Sequence, residues 1–299
     1  MEESKQLLLE EALYLWNSFK DEILYKNRFI VNHPVLDYVK IIAEKNKESI
    51  ENNTTYYRAR VFKDDSYFTS YLGCDFDLNG FDVLEKYTTQ YKRVQIELKG
   101  KSKFWGYDED NSFVPKNNSL ISEGRFNPSL IKYLYASQSP YTALTEVRPF
   151  LGSSVSVAEI KLTEEITIAD FSYHGVGVDN SLEEMLKLFI MDNFSKPINT
   201  NIHDYIPTQY IAEYLKKLGY DGIKFNSSLH QGGSNFTIFN YYKCKAVSSK
   251  LYKIKDICLG SDCIAPLNEQ GLIHSKIKPY KYDPIPKSIT RLRPENKDS

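Results

Sequence analysis

Two prolines bracket one short segment, "SPYTALTEVRP", and limit what it can become. Pro140 suits the first turn of a helix, where a missing N–H costs nothing, and Ser139 before it can cap that turn. Pro149 cannot continue a helix. The segment therefore reads as a single short helix. The apolar run "IKYLYAS" before it reads as a strand, and "GRFNP" before that as a turn punctuated by Gly124, Asn127 and Pro128. Residues 124 to 149 thus hold two arginines, a glutamate and three tyrosines within one turn–strand–helix unit.

Other elements follow from periodicity. Leu9, Leu13, Trp16, Phe19 and Ile23 recur at helical spacing, and "HPVLDYVKIIAEKNK" opens with Pro34 and continues through Val35, Tyr38, Ile41 and Ile42. Two amphipathic helices are expected, packed on their own chain, with a polar break at "NKESIENN". In "TYYRARVF" alternation places Tyr57, Ala59 and Val61 on one face and Tyr56, Arg58 and Arg60 on the other, as in a strand. "SSVSVAEIKL", "ITIADF", "YDGIKFNSS" and "SNFTIFN" read as further strands. "SLEEMLKLFIMDNF" starts with a capping-box pattern, Ser181 to Glu184, and "PTQYIAEYLKKLG" ends on the helix stop Gly219. Residues 63–120 are polar and insertion-rich, and the tail from His274 reads as an extended basic arm.

Several function classes drop out. With 38 basic against 39 acidic residues, the chain lacks the surplus that coats nucleic acid. No apolar run approaches the ~20 residues of a membrane span. The N-terminus is acidic without a basic n-region, so no signal peptide and a cytoplasmic location are expected. Four cysteines are too few for a disulfide framework, and Cys258 and Cys263 lack companion ligands for a metal. The dinucleotide fingerprint, the phosphate loop, the zinc-protease helix and the nucleophile elbow are all missing. What remains is a set of arginine, tyrosine, glutamate and serine.

In chain order, "YRAR", "GRFNP", "YLYAS", "ALTEVRP", and "DGIKFNSS" with "NFTIF" after it resemble the RES-domain family, over roughly residues 55 to 240. The resemblance implies an α+β fold with an ADP-ribosyltransferase-like mixed β core and flanking helices. Here an N-terminal helical extension would be added. The divisions expected are 1–50 for that extension, 51–257 for the catalytic domain and 258–299 for an extended arm. It also implies an enzyme that degrades NAD by phosphorolysis or hydrolysis, as a toxin or defence effector. NAD is then substrate, with phosphate or water as acceptor, and neither cofactor nor metal is required. An antitoxin or other neutralising protein and a second copy of the chain are candidate partners; nucleic acid and membrane are not.

Carried over by motif, the resemblance assigns Arg58, Glu146 and Ser227 to catalysis. Arg125, Tyr135, Arg60 and Ser228 become candidates for binding NAD. Arginine forks suit the pyrophosphate oxygens. A carboxylate stabilises positive charge on the ribose as the glycosidic bond breaks. Tyr135 would stack on nicotinamide. Serine would bond ribose or phosphate, or hold Glu146. Arg60 competes with Arg58, and Ser228 with Ser227. Transfer of ADP-ribose to a macromolecule and a catalytically silent nucleotide-binding module are the alternatives.

Overall fold

The computed structural model of the chain describes residues 2–62, 103–173, 181–195, 202–255 and 257. The stretch from 63 to 102, most of the segment read as insertions, lies outside them, as does the arm from 258. Helical spacing of apolar residues gives the first helix, α1 (Glu2–Asp21), whose Leu9, Ala12, Trp16 and Phe19 are buried; Ile23 continues the stripe in one π turn. In α2 (Pro34–Lys45) the inner face is Val35, Leu36, Val39, Ile42 and Ala43. The sequence reading placed Ile41 on that face, but Ile41 is 39% exposed. It lies two residues from Val39, on the opposite side of a helix with 3.6 residues per turn.

The polar break is a strand. Residues Lys47–Ile50 form β1, although only Ile50 of the four is buried. Backbone pairing with β5 (Ile166–Asp170) makes it one, so no apolar pattern announced it. The remaining strands are β2 (Thr55–Phe62), β3 (Leu134–Ser137), β4 (Ser154–Leu162), β6 (Gly222–Asn226), β7 (Ser234–Ile238) and β8 (Cys244–Lys253). Two short helices, α3 (Glu109–Ser112) and α4 (Pro140–Glu146), precede β4. Among the described residues these strands make one eight-stranded sheet in the order β1-β5-β6-β7-β3-β2-β4-β8. Every neighbouring pair is antiparallel except β5 and β6. A parallel pair needs a long crossover, and α5 (Leu182–Ser195) and α6 (Ile206–Lys217) supply it. The α+β architecture expected from the sequence is the one observed, with a mixed sheet, flanking helices and an N-terminal helical pair.

The largest apolar cluster joins α1, α2, α5 and α6 to the sheet through Ala169, Phe171, Ile223 and Phe225. The N-terminal helices therefore pack on their own chain, and Trp16, Phe19 and Ile23 belong to the same cluster as the strands beside the candidate site. Leu134, Ile160, Ile166, Ile168 and Ile238 form a second cluster, and α4 rests through Ala143 on Val155 and Val157 in a third. Phe19 is fully buried and meets Trp16 and Tyr210 of α6 edge on or tilted, at 5.7 and 6.1 Å between centroids. Phe19→Ala should cost about 3–5 kcal/mol, from lost transfer energy plus the cavity left behind. Urea unfolding is expected to show this loss in a single transition that includes the sheet; an early separate transition of the N-terminal helices would contradict shared packing.

Candidate active site

A cleft of about 340 Å³ opens between β2, β3, α4 and the turn at 124–127. Arg58, Arg125, Tyr135 and Glu146 all line it, with Tyr205 and Asn235. Four residues spread over about ninety positions of sequence therefore converge on one concavity of ligand size.

Glu146 is the last residue of α4. Ser139 caps the helix start by accepting the Thr142 N–H at 3.1 Å, and Pro140 fills the first turn, as the sequence implies. Beyond Glu146 the chain turns away through Arg148, which takes a left-handed φ of 45° before Pro149. A carboxylate at a helix C-terminus faces the negative end of the macrodipole, so it needs donors from elsewhere. Two reach the same oxygen. Ser227 Oγ donates to Glu146 Oε1 at 2.6 Å, and Asn235 Nδ2 donates to it at 2.7 Å. Oε2 accepts no hydrogen bond among the described residues.

Each donor is itself held. The Ser227 hydroxyl oxygen accepts the N–H groups of Leu229 and His230, at 3.2 and 3.0 Å, which leaves its hydrogen for the carboxylate. The loop that makes these bonds closes on itself, with the Ser227 N–H donating to Gly233 O at 2.9 Å. It also packs against the start of α4, where His230 Nδ1 lies 2.8 Å from Thr142 Oγ1. Asn235 sits on β7 opposite Ser137 of β3. Ser137 Oγ donates to Asn235 Oδ1 at 2.7 Å, so the amide presents its NH₂ to Glu146.

The turn that carries Arg125 is built around a tyrosine hydroxyl. Tyr135 accepts the Phe126 N–H at 3.0 Å and donates to Asn127 Oδ1 at 2.7 Å. Burial pushes this phenol up to about 12, so it stays a donor at neutral pH. From α6, Gln209 Nε2 donates to the carbonyls of Gly124 and Asn127 at 2.8 and 3.2 Å, and Thr208 Oγ1 donates to that of Arg125. Phe126 is fully buried between Phe194 and Phe225, at 4.9 and 5.0 Å. The turn thus sends Phe126 into the core and Arg125 into the cleft. Gly124 is required there, because a Cβ would stand 2.6 Å from Asn127 Oδ1 and 3.1 Å from the Tyr135 hydroxyl.

Both cleft arginines are partly withdrawn from water. Arg58 Nη1 donates to the Tyr135 carbonyl at 3.0 Å, while its Nε is buried without a partner among the described residues. Burial, with Arg60 close by, pulls the Arg58 guanidinium down to about 10, still a cation at neutral pH. Arg125 Nη1 donates to Phe194 O at 2.5 Å, its guanidinium lies 5.9 Å from the Phe225 ring centre, and burial lowers its pKa too.

Two candidates stand apart. Arg60 does not line the cleft; it donates to Asn111 O and lies 5.8 Å from the Tyr107 ring centre. Ser228 is exposed, and Ser227 is the serine on Glu146. Asn235, Ser137, Gln209 and Tyr205 were not singled out in the sequence. Asn235 lies inside the quoted "NFTIF", which was read only as part of a strand. Strand register, which pairs it with Ser137, was needed to assign it a task.

The model of the RES domain matches residues 100–257. No curated protein matches the chain. Among solved structures, that of the M. tuberculosis MbcT–MbcA toxin–antitoxin complex is similar at 13% identity and a TM-score of 0.36, covering 75% of this chain and 93% of that chain. Among the described residues no helix is long and apolar enough to cross a membrane, and no three His, Cys, Asp or Glu are grouped to hold a metal.

Tyr135→Phe should lower stability by about 1–3 kcal/mol, because the Phe126 N–H and Asn127 amide lose their buried partner. Denaturant midpoints of the variant and the parent chain measure this. An unchanged midpoint would mean that the hydroxyl does not hold the turn.

Proposed function

The chain belongs to the RES-domain family, and we propose that its cleft cleaves the bond between nicotinamide and ribose in NAD. The observation that carries this reading is the state of Glu146. One carboxylate oxygen of this cleft residue is tied by Ser227 and Asn235, the other accepts no hydrogen bond among the described residues, and two partly buried arginines share the same concavity. A dinucleotide has the chemistry that answers such a site. Its pyrophosphate is an anion for Arg58 and Arg125, and arginine forks match phosphate oxygens. Its nicotinamide ribose becomes cation-like as the glycosidic bond breaks, and a fixed carboxylate stabilises that charge without reorganising.

In the proposed step the C1′–N bond breaks and its electron pair stays on nicotinamide, which leaves neutral. An oxygen of water or phosphate forms the new bond to C1′ and gives up its proton, with Glu146 oriented to receive it or pass it to solvent. Water gives ADP-ribose; phosphate gives ADP-ribose phosphorylated at C1′. Tyr135 lines the cleft while its hydroxyl holds the Arg125 turn, and we assign its ring to stacking on nicotinamide. Loss of NAD in the cell would make the protein a toxin or defence effector, with a neutralising protein as its natural restraint.

Glu146→Gln keeps the side chain's shape and removes its charge. It should lower kcat for NAD consumption by about 10²–10³-fold, the scale for losing one preorganised electrostatic group. Arg58→Gln should act mainly on KM, raising it about 10- to 100-fold, as expected for a charge-assisted contact worth about 1.5–3 kcal/mol. Steady-state kinetics on folded variants decide both. A Glu146→Gln enzyme that turns over NAD at the parent rate would overturn the proposal.

A further inference from the structure

Resting on that reading, we infer that Asn235, itself fixed by Ser137, is a positioning residue that aims the catalytic carboxylate. Neither residue needs to touch NAD. Asn235 and Ser137 line the cleft yet are only 5% and 4% exposed, so their polar groups need partners within the protein. The Ser137 hydroxyl occupies Asn235 Oδ1, which leaves the amide NH₂ as the group facing Glu146. Reversing the amide would set Oδ1 against a carboxylate oxygen, two acceptors at contact, and would leave the Ser137 hydroxyl without its acceptor. Three residues from three elements therefore form one ordered chain: Ser137 at the end of β3, Asn235 on β7 and Glu146 at the end of α4.

The orientation follows from where the bonds land. A carboxylate held by Ser227 alone could swing about its terminal torsion, which is broad for an sp²–sp³ bond. Asn235 adds a second donor to the same oxygen from a neighbouring strand, which restrains the carboxylate and leaves Oε2 without a hydrogen bond among the described residues. The register that places Ser137 opposite Asn235 is set by the pairing of β3 with β7, so the aim of the carboxylate is built into the sheet. Such control acts on the step in which charge develops on ribose and hardly on ground-state binding.

Steady-state kinetics of the full chain with NAD test this. Asn235→Ala should lower kcat by about 10- to 100-fold, a range typical for groups that orient a reacting residue from behind, with KM within about threefold of the parent. Ser137→Ala, which deletes only a hydroxyl, should lower kcat in the same direction by less. It keeps the test available should Asn235→Ala fold poorly. In a Glu146→Gln background Asn235→Ala should cost nothing further, because its effect runs through the carboxylate. Unchanged kcat in both single variants overturns the inference. So does a loss carried by KM, which would make Asn235 a substrate contact, or a further loss in the double variant. Inactivity of the parent chain toward NAD would overturn the functional reading and this inference together, whereas an active parent with unaffected variants overturns only the positioning role.

Discussion

The hydrogen bonds that two residues make to one oxygen of Glu146 are the constraint on which the site depends. A helix end is a poor place for a carboxylate, since the last carbonyls already carry partial negative charge. Ser227 and Asn235 counter this from the ends of β6 and β7, so the short helix, bracketed by Ser139, Pro140 and Pro149, is docked by the residue it presents. The loop from 227 to 233 reinforces the dock through His230 and Thr142. Helix, loop and two strands thus meet at a single acceptor atom.

The second constraint is the desolvation of positive charge. Arg58 and Arg125 are each held by a backbone carbonyl, and burial lowers the pKa of both. Glu146 shares the cleft with both guanidiniums, and its charge favours the cationic form of Arg125. The fold withdraws both guanidiniums in part from water before anything enters the cleft. The Tyr135 hydroxyl and the α6 side chains Thr208 and Gln209 keep one of those cations aimed, and the buried Phe126 anchors the turn behind it. The N-terminal helices enter at this point, because Phe19 packs on Tyr210, one residue from Gln209 in α6.

Elements with strong local signals were legible in the sequence. The apolar stripe of α1, the proline-bounded α4 and the strand β2 lie where periodicity and punctuation place them, whereas Leu218, expected inward on α6, is 37% exposed at the helix cap. β1 was not legible, because a polar edge strand is made by its partner's backbone. The motifs placed Arg58, Arg125, Tyr135 and Glu146 in one set, and the structure gathers these four into one cleft. Arg60 shares alternation with Arg58, yet α3, seen in sequence only as part of a polar stretch, draws it away through Asn111. Asn235 and Ser137 stayed hidden for the opposite reason: their chemistry appears only when strands distant in sequence are put in register.

Breakage of the nicotinamide–ribose bond in this cleft would be visible in its products. Purified protein would be incubated with NAD in the presence and absence of phosphate, and the products separated by mass. Free nicotinamide is expected, accompanied by ADP-ribose if water attacks, or by phosphorylated ADP-ribose only when phosphate is supplied. NAD recovered intact under both conditions would contradict such cleavage.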